Sequence, residues 1–105
     1  MAEVLGEYFR TVHASDVHDY GKGYAVGSFV GSGSDVAEWP RECLGAPLDW
    51  IVTNPPFPKA LEFAQRALEE ASDGVAMLLR TVWTESEERY GALFRDRPPT
   101  HIAQF

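Results

Sequence analysis

The stretch DWIVTNPPF at residues 49–57 constrains this chain more than any other. Trp50, Ile51, Val52 and Thr53 carry the branched and aromatic side chains that suit a pleated, half-buried surface, so a strand is expected there. Two prolines follow Asn54, and neither Pro55 nor Pro56 has an N–H to give to a ladder, so the strand must end at a stiff corner. Pro58 can stand in the first turn of a helix without losing a needed hydrogen bond. Leu61, Ala64, Leu68 and Ala71 then recur at helical spacing along one face, and Glu62 and Arg66 stand four apart in the favourable order for an ion pair. Asp73 and Gly74 are expected to end that helix.

The flanks repeat this alternation. Val4, Leu5, Tyr8 and Phe9 predict a helix over residues 2–9, weakened by Gly6, and a strand is expected over residues 11–15, running into Asp16. Residues 27–35, GSFVGSGSD, read as loop or very short strand, and Trp39-Pro40 closes a brief turn. Residues 75–79 form an apolar run of the kind found in a strand covered on both faces. Thr84 with Glu87 three residues later is a capping-box pattern opening a helix to about residue 94, with Tyr90, Leu93 and Phe94 as its apolar contacts. The final HIAQF predicts one more strand. Alternating helices and continuous apolar strands indicate an α/β fold with an open, mainly parallel sheet, and such sheets hold ligands at the carboxyl ends of their strands. Asp16, Asn54 and the Arg80-Thr81 pair are expected at those ends.

Length and charge narrow the function. A chain of 105 residues buries roughly 65% of its extended surface, enough for one modest core, and a single domain over residues 1–105 is expected. The net charge is −7, which disfavours a protein that coats nucleic acid through a global positive field. Bases are nevertheless uneven, with 3 before residue 53 and 6 from there on, against 8 acids in each part, so an anion is expected to touch the C-terminal half. One cysteine, Cys43, cannot close an intrachain disulfide, and with His13, His18 and His101 it makes no zinc-binding spacing, so no metal site is expected. The chain shows neither a membrane-length apolar run nor a signal-peptide pattern at its start, so a cytoplasmic protein without membrane contact is expected. Trp50 and Trp83 are expected in or near the core.

The corner also has a chemistry. Asn54 offers a side-chain carbonyl acceptor, and the carbonyl of Pro55 is an acceptor with no N–H of its own to compete, so an amino group can be held between them with both hydrogens engaged. Phe57 offers a flat face on which a planar substrate can stack, which requires the ring to be at least partly exposed.

This string resembles the catalytic motif of the class I S-adenosylmethionine-dependent amino-methyltransferases, most closely the adenine-N6 DNA methyltransferases and the compact phage-type proteins of that group. The helix over residues 2–9, the strand into Asp16, DWIVTNPPF, the helix after it, GVAMLLRT and the terminal THIAQF look like consecutive pieces of that Rossmann-like fold. The resemblance implies methyl transfer to an exocyclic amine, with S-adenosylmethionine as cofactor and DNA adenine N6 as first substrate; RNA amines and protein glutamine side chains suit the same motif. It assigns catalytic roles to Asn54, Pro55, Pro56 and Phe57, cofactor-ribose binding to Asp16, and an adenine-side acid to Asp35.

The chain departs from the family at its start. The family's first strand and glycine-rich cofactor loop come before the helix with which this chain begins, and GSFVGSGS lies after Asp16 instead of before it. The expectation is therefore that residues 1–105 alone bind the cofactor weakly and turn over poorly, and that self-association or a partner completes the sheet. A catalytically silent, methyltransferase-derived assembly module is the alternative reading.

Overall fold

The computed structural model describes residues 2–16, 21, 25–26, 29 and 48–105. The chain divides into two compact units, Met1–Gly45 and Ala46–Phe105.

In the first unit, α1 spans only Ala2–Leu5 and buries no residue. The Phe9 N–H still donates to the Leu5 carbonyl at 2.9 Å, but residues 6–8 form turns. The helix expected over residues 2–9 is thus cut to its first turn. Gly6 carries the entropic penalty of its missing side chain, and so short a helix is marginal without a buried face. The strand expected over residues 11–15 is likewise reduced to β1, Ser15–Asp16, which pairs in parallel with β2, Ala25–Val26, in the register Ser15↔Ala25 and Asp16↔Val26. Asp35, His18, Cys43, the turn at Trp39-Pro40 and all of the loop at residues 27–35 except Phe29 lie outside the described residues.

The second unit is a small α/β arrangement built on one parallel strand pair. β3, Leu48–Thr53, pairs with β4, Ala71–Met77, through Ile51↔Val75, Val52↔Ala76 and Thr53↔Met77. A last rung is added where the Leu78 N–H donates to the Thr53 carbonyl at 3.0 Å. Pro55 and Pro56 then prevent further pairing of β3. The chain turns through a 3-10 segment, Phe57–Lys59, in which the Lys59 N–H donates to the Pro56 carbonyl at 2.9 Å. This turn, with no side-chain cap, launches α2, Ala60–Glu70. Its buried stripe is Ala60, Ala64 and Ala67, whose small side chains let the helix approach β4 closely. Ala60 and Ala64 join Trp83 and Leu93 in the core, with Leu61, Leu68, Met77, Leu79 and Phe94 packed against them. Trp83 meets the Phe94 ring edge-on, with centroids 5.5 Å apart and planes at 88°.

Several expected boundaries move. α2 ends at Glu70 and passes into β4 at Ala71 without a loop, so Asp73 and Gly74 lie inside a strand and do not terminate the helix. Pairing explains why. Three residues of β3, from Leu48 to Trp50, face four of β4, from Ala71 to Gly74, so β4 carries one extra residue and Gly74 stands opposite Trp50. A Cβ on Gly74 would come within 2.5 to 2.9 Å of the Trp50 ring, so the ring lies over the strand where glycine leaves room. Trp50 is accordingly 46% exposed and not a core residue, whereas Trp83 is buried as expected. Arg66 pairs with Glu70 at 3.2 Å, both side chains being mostly buried, while the expected partner Glu62 is exposed. β4 is not covered on both faces, since Ala76 within it and Leu78 just beyond it are exposed.

The expected helix from Thr84 is also divided. Thr81–Glu85 is a 3-10 turn in which the Thr84 hydroxyl donates to the Thr81 carbonyl at 2.9 Å, so it is not the cap of the next helix. Ser86 is, its hydroxyl accepting from the Arg89 N–H at the start of α3, Glu87–Arg89. The chain continues as a π-helical turn, Tyr90–Phe94, closed by the Arg95 N–H donating to the Tyr90 carbonyl at 2.9 Å. The wider turn buries Leu93 and half-buries Phe94, and leaves Tyr90 exposed. Residues 101–105 are exposed and carry no strand, because alternation alone does not hold a strand without a paired neighbour. No helix among the described residues is long and apolar enough to cross a membrane.

Candidate functional site

β3 and β4 run in parallel, so their carboxyl ends open at the same edge. There Asn54, Pro55 and Phe57 from one strand end, and Leu78, Leu79 and Arg80 from the other, line a cleft of about 310 Å³. That is the lower end of the range of small-ligand sites, about 300–1,000 Å³.

Each lining residue is placed by the backbone behind it. The rung between Thr53 and Leu78 fixes where both strands stop, so Asn54 and Leu79 leave the ladder together. Asn54 is exposed, and its side-chain amide makes no hydrogen bond among the described residues. Pro55 is buried, which anchors the corner, while its carbonyl accepts no hydrogen bond from any described residue. The Pro56 carbonyl, by contrast, is engaged by Lys59. Phe57 begins the 3-10 turn and is 53% exposed. A corner serving only to turn the chain would bury Phe57 and close the Asn54 amide onto nearby backbone, and neither is found.

Arg80 lines the same cleft from just beyond the end of β4. Its backbone is extended, its side chain exposed, and among the described residues it has no ion-pair partner. Its carbonyl accepts from the Trp83 N–H at 2.9 Å, which ties the end of β4 to the buried tryptophan. Arg89 differs: its guanidinium lies 5.3 Å from the Trp83 ring centroid and its Nε donates to the Trp83 carbonyl, so this cation is committed to packing.

Thus the structure joins Asn54, Pro55 and Phe57 in one cleft and adds Leu78, Leu79 and Arg80. Pro56 is the exposed second half of the corner and does not line it. Asp16 ends a parallel strand as expected, in the other unit, and Asp35 lies outside the described residues. The apolar pattern alone places Leu78 and Leu79 inside a strand and gives no hint of a cleft. The signal that points to them is the length of β3, since a partner ladder that stops at Thr53 exposes the residues beyond Met77. No group of three or more His, Cys, Asp or Glu side chains suited to a metal ion occurs among the described residues. Comparisons of the chain with protein-family models, curated proteins and solved structures return no match.

Proposed function

We propose that the cleft receives a planar group bearing an exocyclic amine, and that the chain acts as an S-adenosylmethionine-dependent amino-methyltransferase, with adenine N6 in DNA as its first substrate. The observation that supports this reading is the pair of uncommitted acceptors, the Asn54 side-chain carbonyl and the Pro55 carbonyl, beside a half-exposed Phe57 ring.

The chemistry rests on those groups. An aryl amine keeps its lone pair in the ring until the nitrogen rehybridises, so hydrogen bonds that strengthen as it does so lower the barrier. Two acceptors set by a proline corner and a strand end need little rearrangement to provide them, which is the condition for electrostatic preorganisation to be effective. Phe57 compensates a base taken out of its stack and fixes the ring plane against which the amine is aimed. The corner thus orients the nucleophile and does not need to act as a general base.

S-adenosylmethionine supplies the methyl group when bound. The resemblance assigns Asp16 to the cofactor's ribose, and Asp16 is the last residue of a parallel strand, the kind of position from which such sheets hold ligands. A test is incubation of the chain, in excess, with the cofactor and adenine-containing DNA, and then mass spectrometry for N6-methyladenine. Slow product formation that falls about a hundredfold in Asn54→Ala is expected. Equal product from that variant overturns the role of Asn54, and no product from either chain leaves the silent assembly module as the better reading.

A further inference from the structure

We infer that Arg80 is the anion-selecting residue of the cleft, holding a phosphate next to the seated base so that nucleotides are preferred over free bases, nucleosides and amide side chains. This rests on the reading of the cleft as an amine site.

Three observations carry it. First, Arg80 lines the same cleft as Asn54 and Phe57 from the end of the neighbouring strand, so a ligand stacked on Phe57 shares the cleft with this cation. Second, the side chain is exposed and unpaired among the described residues, although the chain has 16 acids for 9 lysines and arginines. The nearest arginines along the chain are spent otherwise, Arg66 on Glu70 and Arg89 on Trp83. Third, the backbone of Arg80 is fixed on both sides, by the Leu78 rung to Thr53 and by the Trp83 N–H on its carbonyl. A cation on a fixed backbone, sharing a cleft with two acceptors and an aromatic ring, makes separate places for a base and an anion. Guanidinium binds phosphate bidentately, and a charge-assisted bond of that kind is about twice as strong as a neutral one. The neutral glutamine side chain would leave this cation unused.

The test compares deoxyadenosine with its 5′- and 3′-monophosphates on the whole chain at low and moderate salt, with binding read by magnetic resonance. At low salt the better monophosphate should bind about three- to tenfold more tightly than deoxyadenosine, and the advantage should shrink as salt screens it. Arg80→Gln should bring the ratio to about one without changing deoxyadenosine affinity, and Arg80→Lys should restore part of it. Equal binding of nucleoside and nucleotides by the unaltered chain, a ratio that survives Arg80→Gln, or no binding of any of the three at millimolar concentration overturns the inference. A ratio that depends on Arg80 while Asn54→Ala and Phe57→Ala leave deoxyadenosine binding unchanged would keep the anion site and remove the amine reading beneath it.

Discussion

The two ends of the β3–β4 ladder each present an exposed aromatic residue, Trp50 at 46% and Phe57 at 53%, yet the rings do different things. At the amino end Trp50 covers Gly74, whose missing side chain is what makes room for it. At the carboxyl end Phe57 borders a cleft shared with Asn54 and Arg80. Exposure alone therefore does not separate a packing ring from a binding ring. What surrounds the ring does: the Trp50 ring lies against strand backbone, whereas Phe57 shares its cleft with unused acceptors and a cation.

Removing the support of the carboxyl end should have the largest effect. Trp83 packs in the core that holds Leu79 and Met77, so Trp83→Ala should cost about 3–5 kcal/mol of stability and abolish the cleft with it. The midpoint of denaturant unfolding checks this. Next in size, Asn54→Ala should remove about 3 kcal/mol of transition-state stabilisation while leaving stability within about 0.5 kcal/mol, because the exposed amide has no described partner to lose. Parallel turnover and melting measurements distinguish the two.

A crossed pair sharpens the contrast. Phe57→Ala should weaken binding of an adenine nucleotide by about 1–2 kcal/mol with little change in stability. Trp50→Ala should do the reverse, costing about 1 kcal/mol of stability and leaving nucleotide binding unaltered. If both substitutions affect the same property, the distinction between the two ends fails. Smallest of all is Gly74→Ala, which pushes the exposed indole off the strand but gives β4 a residue with less backbone entropy to lose. A net change under about 1 kcal/mol is expected, with a red-shifted Trp50 emission as the visible sign.

Legibility in the sequence tracks the strength of local chemistry. Residues 50–53, the proline corner and the helix start after Pro58 are readable because branched residues and missing N–H groups act whatever surrounds them. The end of α2 is not. Asp73-Gly74 has a helix-stop composition, but β3 recruits the segment as a partner and Trp50 uses the glycine, two facts that exist only after pairing. The cap at Ser86 is hidden for a similar reason, since the Thr84 hydroxyl has a nearer carbonyl to bond. Of the cleft, the Asn54 side is legible as a motif, whereas the lining by Leu78 and Leu79 depends on where a neighbouring strand stops.

The double proline also determines how the cleft can be observed. Amide-detected resonance and hydrogen exchange track backbone N–H protons, and Pro55 and Pro56 have none, so a map of the chain is blank between Asn54 and Phe57. On the proline side of the cleft, occupancy has to be read from side chains instead. The two Asn54 amide protons share a group with the acceptor oxygen, and the Phe57 ring protons feel any flat molecule laid over them. A ligand that shifts both sets of signals while leaving the Trp50 indole unmoved would report its own position from within the silent stretch.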